Sequence, residues 1–360
     1  MPQDTINVNL IDSAVKPNSI SYCSPLLIYK SDVLSEGHLV LNTSSFKASI
    51  EELPKAKDLV SEDHQKAKII LEQKTFLATS CSDFFGEAGL GSLSLYIYKD
   101  IKNLVAYLEK HAHTFVVFVD KVEETLKSDY EAIKALVQFS VFASKTKELP
   151  DFLKKKVASQ RDGIIVVYVN DDNLHLKFIS KYLHQASIFQ SVNPYGITLK
   201  GNPIYDANLI SALRKDNINF YSLLNETGRD GVLALKEGVD FAGNPIDEVF
   251  TYYVLKTEAT RELIRIWNRN NRQNSKLSAL NIEDGKPNAY TAGLECLFKE
   301  FKERGLIVSY GDIKLKIVTT NGLGLNLSIR VKYNDSFKSV VLNISSDDIN
   351  DYLRGEAAAQ

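Results

Sequence analysis

Two uninterrupted apolar runs constrain this chain more than any other feature. They are Phe115-Val116-Val117-Phe118-Val119 and Ile164-Ile165-Val166-Val167-Tyr168-Val169, each flanked by segments of helical periodicity. A strand wetted on one side alternates apolar and polar residues, whereas a strand covered on both faces reads as a continuous apolar run. Helices on both sides of a sheet provide that cover, and strands that alternate with helices imply at least partly parallel pairing. Pro25 to Tyr29 supplies a further buried strand, and Leu93 to Tyr98 is a third short apolar run. The helical patterns run from Ser61 to Glu72, from Ile101 to Lys110, from Asp129 to Ser144 and from Asp172 to His184. In the third, Tyr130, Ile133, Val137, Ser140 and Val141 share one helical face.

The texture changes near Asn193. Turn signals follow at Asn193-Pro194, Gly201-Asn202-Pro203, Thr227-Gly228 and Gly243-Asn244-Pro245. Two amphipathic helices are predicted next. One runs from about Asp247 to Asn268, with Leu255, Ala259, Leu263 and Ile266 at helical spacing; the other runs from about Asn288 to Arg304, striped by Tyr290, Leu294, Leu297, Phe298 and Phe301. Gly305 stands where a C-terminal capping glycine belongs. Period-two alternation returns at Ile313 to Ile317 and Leu325 to Tyr333. The predicted organisation is an N-terminal arm and linker (1–24), an α/β domain (25–195), and an α+β domain ending in a C-terminal strand (196–360). The fold class is thus α/β and α+β, with mixed sheets flanked by helices.

Both ends carry strand signals. Thr5, Ile6, Asn7, Val8, Asn9 and Leu10 alternate polar and apolar, and a polar stretch, Asp12 to Ser19, follows with no hairpin partner nearby. Such a segment is either an arm that pairs elsewhere or an edge strand of the chain's own sheet. Phe337 to Ile344 is a further strand, with Phe337, Val340, Val341, Leu342 and Ile344 as its apolar positions.

Chemistry-bearing motifs are sparse. The formal net charge is −2, unlike the basic footprint of a nucleic-acid binder. Cys23, Cys81 and Cys296 are odd in number and widely spaced, so neither a disulfide framework nor a zinc pattern is legible. The first ten residues do not read as a signal peptide, and no apolar stretch approaches a membrane span; the expectation is a chain made in a cytoplasm. His111 and His113 lie two apart, a conceivable metal pair on a strand, but no Cys or carboxylate at motif spacing completes it, and a solvated connector is the plainer reading. Gly86 to Gly91 reads GxxGxG and leads into a strand, whereas a phosphate cradle needs a helix N-terminus there. Asp171-Asp172 follows the Ile164 run, where α/β enzymes place acidic groups, but Asp172 also suits a helix N-cap. No catalytic, cofactor or metal residue is assigned.

One resemblance spans roughly Asn193 to Ile344. Ile204 to Leu213 is similar to a helix that precedes a short strand in the tail sheath proteins of contractile phages and related injection systems. Asn217-Ile218-Asn219-Phe220-Tyr221 looks like that strand's "N-x-N-x-Y" element, and Gly238 to Asp247 resembles the family's glycine, glycine, "ID" turn. Lys276-Leu277, Asp284-Gly285 and Gly305-Leu306-Ile307 continue the order, and Asp83-Phe84-Phe85-Gly86 resembles an earlier element. The chain departs from the pattern at Tyr252-Tyr253, where the family often carries Asp-Trp, and it is short for a sheath subunit.

The resemblance implies a structural protein with no enzymatic activity and no cofactor. It implies self-association into hexameric rings stacked around a tail tube, in a virion tail assembled in a bacterial cytoplasm, with no nucleic-acid partner and no membrane insertion. Tube, baseplate and tail terminator proteins are the implied partners. The two terminal strands become inter-subunit arms in this reading, and Glu295, Lys299, Glu300, Lys302, Glu303 and Arg304 become tube-facing, the alternative for those six being a merely solvated helix face. Another tail or baseplate protein with a sheath-like domain, or an α/β enzyme, are the competing assignments.

Overall fold

The computed structural model describes residues 4–11, 21–53, 64–86, 89–154, 163–170, 173–186, 192, 194–202, 204–223, 232–272, 289–318 and 324–333. The first stretch holds β1 (Asp4–Ile11), β2 (Ser21–Lys30), β3 (Gly37–Asn42), α1 (Phe46–Glu51), α2 (His64–Gly86), β4 (Ser92–Tyr98), α3 (Ile101–Lys110) and β5 (His113–Lys121). There follow α4 (Lys127–Ile133), β6 (Phe139–Ser144), α5 (Asp151–Lys154), β7 (Ile164–Tyr168) and α6 (Leu174–Gln185).

Strands β2 to β7 form one sheet in the order β3-β4-β2-β5-β6-β7. All neighbours in it are parallel except the edge strand β3, which runs antiparallel to β4. The chain steps from β2 to β4 on one side and then returns to place β5 on the other, so β2 and β5 flank a topological switch point. Every residue from Thr114 to Val119 is buried, as is all of β6, because helices cover both faces. On one face α1, α2, α6 and the start of a later long helix pack on Leu27, Leu95, Phe115, Val117 and Val167. On the other, α3, α4 and α5 pack on Leu26, Val116, Phe118, Phe142 and Val166. Each large apolar side chain so buried contributes about 1.5–3 kcal/mol. The sheet's central runs are also aromatic: Phe115 stacks on Phe139 and Phe118 on Phe142, both at 4.5 Å.

The structure corrects one helix. Asp129 to Ser144 is not a single helix; α4 ends at Ile133 and the chain becomes β6 at Phe139. Residues from Tyr130 to Val141 fit a helical stripe, but Phe139 to Ser144 is also an unbroken β-prone run, and the slot between β5 and β7 decides the matter. One helix end and one helix start differ as well. The helix begun at Ser61 is described from His64 and continues to Gly86, while Ser61 lies outside the described residues. Asn173, not Asp172, holds the N-cap position of α6.

The second part comprises β8 (Thr198–Lys200), α7 (Ala207–Lys215), β9 (Phe220–Leu223), β10 (Val232–Lys236), α8 (Ile246–Arg272), α9 (Ala289–Glu303), β11 (Ile307–Tyr310), β12 (Lys314–Val318) and β13 (Gly324–Tyr333). A small antiparallel sheet, β8-β10-β9, continues the first layer, since Val167 of β7 bridges Asn219 in parallel. The apolar packing does not change at residue 196. Ile197, Leu199, Tyr221 and Leu233 share the core beneath α6, and it is along α8 that the cores divide. Ile246, Val249, Phe250 and Val254 belong to the first core, whereas Leu255, Ala259, Leu263 and Ile266 belong to a separate one with α9 and β11–β13.

Candidate assembly surfaces

The residues that carry the family resemblance converge at the head of α8. Asn219 is fully buried; its side-chain amide donates to the Val166 carbonyl at 3.2 Å and the Val239 carbonyl at 2.7 Å, and its side-chain oxygen accepts from the Val239 amide at 3.0 Å. Asp240 accepts from the Asn244 backbone amide at 2.8 Å, and Gly243 takes φ +91° within that turn, a conformation that suits glycine. The Ile246 amide then donates to the Gly238 carbonyl and α8 begins. Asp206 caps α7 by accepting from the Asn208 and Leu209 amides. These motifs therefore weld the α/β layer to the long helix that carries the second core.

That second core is roofed by a four-stranded sheet. β13 lies in its middle, with β1 along one side and β11 and β12 sharing the other. β1 pairs antiparallel with β13 of its own chain, in continuous register from Asp4↔Val331 through Asn7↔Ser328 to Ile11↔Gly324. Of the two readings of the first segment, the isolated chain thus displays the edge strand of its own sheet. Residues Thr5 to Leu10 fall opposite Arg330 to Leu325. Phe337, Val340, Val341, Leu342 and Ile344 lie outside the described residues.

On α9, Tyr290, Leu294, Phe298 and Phe301 are buried against the sheet. The opposite side carries Glu295, Lys299, Lys302 and Glu303, with Arg304 just beyond, all exposed; Glu300 is half-buried. Lys299 reaches Glu303 at 3.8 Å and Arg304 reaches Glu300 at 2.5 Å. In water such pairs are worth about 0–1 kcal/mol and yield readily to a competing charge.

The positions suspected of catalysis have structural engagements. His111 ends α3 and His113 opens β5, and both rings stack on Tyr107 at 4.6 and 5.8 Å. His113 Nε2 also lies 3.2 Å from the Tyr107 hydroxyl. His38 on β3 contacts the same tyrosine, and burial, followed by the charge of His111, lowers its pKa. Among the described residues no group of three or more His, Cys, Asp or Glu could hold a metal ion. Gly89 abuts Ser180 of α6, where an added Cβ would come within 2.3 Å of the hydroxyl, so Gly89 serves close packing, whereas Gly86 and Gly91 have open space beside them. Asp171 and Asp172 lie outside the described residues.

Sequence reasoning missed the acidic pair at the carboxyl ends of β2, β4 and β5. Buried Asp129 accepts from Lys30 Nζ and from the Tyr98 hydroxyl, both at 3.0 Å. Burial and, after it, the Asp129 carboxylate push the Tyr98 hydroxyl pKa up. Asp120, at the end of β5, is pushed up to about 6, first by burial and then by Glu123. No motif announces these residues, since the crossover of the sheet brings them together. Two concavities, of about 440 and 550 Å³, open at β11–β13 and beside Thr146, Lys147 and Asp206; neither is lined by Asp120 or Asp129. No helix among the described residues is long and apolar enough to cross a membrane.

Comparison with known proteins gives two family matches. The model described as DUF787, N-terminal domain, covers residues 1–243, and that described as DUF787, C-terminal domain, covers residues 246–357. The two meet at the head of α8, within the turn built by Asp240 and Asn244. No curated protein matches the chain.

Proposed function

We propose that this chain, which belongs to the DUF787 family, is the sheath subunit of a contractile tail, a structural protein that polymerises around a tube and shortens to drive it through a host envelope. Its partners in this reading are further copies in stacked hexameric rings, the tube protein, and the baseplate and terminator proteins at the ends. Its place is the virion tail, after assembly in a bacterial cytoplasm.

The observation that carries the proposal is the pairing of β1 with β13. A strand at the very start of the chain completes a sheet whose other members lie beyond residue 300. It is joined to the α/β layer by residues 12–20 alone, a segment that can span roughly 30 Å when extended. The same register is available to β1 of a neighbouring copy. Exchange preserves the hydrogen bonds and the contacts, so its free energy is close to neutral, and local concentration within a ring selects the partner. Subunits laced in this way stay connected while they rotate from one packing to another. The order of the sheath-like motifs, gathered by Asn219 and Asp240 at the head of α8, supports the same reading. The exposed charges of α9, on the same module as the exchanged sheet, supply the tube-facing contacts.

The test is a cross-strand disulfide. Asn7 and Ser328 are paired residues, at a separation suited to cysteine substitution. In a Cys296→Ser background, Asn7→Cys with Ser328→Cys is assembled at high concentration and then oxidised. Exchange yields a ladder of covalent multimers on a non-reducing gel, together with wide tubes by electron microscopy. A fully oxidised product that runs as monomer under assembling conditions refutes strand lacing.

A further inference from the structure

The four-stranded sheet has two unlike faces. Leu315, Leu327, Ile329, Val331 and Tyr333 point into the second core. The alternate positions, Lys314, Ser328, Arg330 and Lys332, point away from it, because successive strand residues face opposite sides. Lys314 and Arg330 are exposed and Lys332 is half-buried. Between β11 and β12 the ladder is interrupted, and a groove of about 440 Å³ opens there; its lining includes these three cations, with Asp312 as the one carboxylate among the lining residues. None of the three cations has an ion-pair partner among the described residues. Three like charges held on one rigid face repel one another and attract an anionic occupant.

The chain carries a matching segment. Within residues 347–356 the sequence carries Asp347, Asp348, Asp351 and Glu356, opposed only by Arg354. Residues 334–346 can span roughly 40 Å when extended, far more than is needed to return from Tyr333 to Arg330 or Lys314. A segment joined to the sheet by so few residues has a high effective concentration at the face, on the order of millimolar for short tethers in general. A nucleic-acid strand is the poorer occupant, because the chain's net charge of −2 would oppose a polyphosphate.

We propose that in the free subunit the acidic C-terminal segment, residues 347–356, docks in cis on the basic face formed by Lys314, Arg330 and Lys332. Docking covers the outer face of the sheet whose edge strand is exchanged in the polymer. The inference rests on the charge and register of β11–β13 and holds whether or not the chain forms a sheath.

The experiment mixes ¹⁴N- and ¹⁵N-labelled full-length protein at a concentration where it is monomeric, followed by carbodiimide cross-linking and peptide mapping. The expected result is isopeptide links from Lys314 or Lys332 to Asp347, Asp348 or Asp351, each joining peptides of one isotope. The yield should fall several-fold in high salt, because screening shortens the reach of such contacts. Links that join the two isotopes would assign the face to a second copy and overturn docking in cis. Absence of links to residues 347–356 would leave the face to an acidic partner or a nucleic acid, and would equally overturn it. Arg330→Glu with Lys332→Glu should lose the links from Lys314, and Asp347→Lys, Asp348→Lys and Asp351→Lys added to that variant should not let the tail remain free to protease. If the charge-swapped chain does not fold, the isotope experiment on the native chain decides alone.

Discussion

The α/β layer and the C-terminal sheet bury their strands by opposite strategies. In the layer, β2, β4, β5, β6 and β7 pair in parallel and are covered by helices on both faces, and every member comes from residues 21–168. Among the described residues one face of the C-terminal sheet is covered, and one of its strands is fetched from the other end of the chain. The layer's own strands are contiguous in sequence, and its core is completed by β8, β9, β10 and the head of α8, which follow directly in the chain. The C-terminal sheet is finished by a segment that any copy of the chain could lend. In the proposed assembly, a core whose closure is transferable would suit a polymer, and the α/β core beside it would keep the subunit folded during the transfer.

Removing residues 1–11 is the largest perturbation expected to separate the two. Losing the β1–β13 ladder at a net value of about 0.5–1.5 kcal/mol per hydrogen bond should cost the C-terminal sheet several kcal/mol and abolish long tubes. Hydrogen exchange should show β11–β13 deprotected while β5 and β6 remain protected. Equal deprotection of both regions would erase the contrast between the layer and the C-terminal sheet.

Asp120 tests the layer. Its carboxyl titrates near 6 in the folded chain against an ordinary 3.8, first because it is buried and then because Glu123 is close. A raised acid pKa favours the folded state while the group is protonated. That contribution is full below about 3.8 and is lost as pH rises through about 6. Asp120→Asn should therefore stabilise the layer by about 1–3 kcal/mol at pH 7.5 and by little at pH 4. Thermal melts at the two pH values measure it, and an equal effect at both would exclude a titration origin.

The smallest effect on stability belongs to α9. Lys299→Glu with Lys302→Glu should change the unfolding free energy by no more than about 0.5 kcal/mol, since both side chains are exposed. It should nevertheless weaken co-sedimentation with the tube protein at low salt. Unchanged binding would return the α9 face to the role of a solvated surface.

Much of this was legible in the residues, for identifiable reasons. The runs at Phe115 and Ile164 announced doubly covered strands because continuous apolarity has few other uses in a chain with helical neighbours. Ile101 to Lys110 was read with its bounds intact, since Asp100 caps it by accepting from the Lys102 amide. Phe139 to Ser144 misled, because its apolar spacing fits two periods at once and only the neighbouring strands choose between them. Lys30, Tyr98, Asp120 and Asp129 were invisible as a group, because their meeting depends on which strand lies beside which.

By itself, then, the amino-acid order determined the class of fold, the covered strands, the amphipathic stripes of α8 and α9 and the alternation of β1 and β13, because each is a local pattern of side chains on a regular backbone. Tertiary structure alone decided that β1 should close a sheet with β13, that α8 should be shared between two cores, and that a buried aspartate should meet a lysine and a tyrosine at the switch point. Those outcomes depend on partners far apart in sequence, and no local period encodes the identity of a distant neighbour.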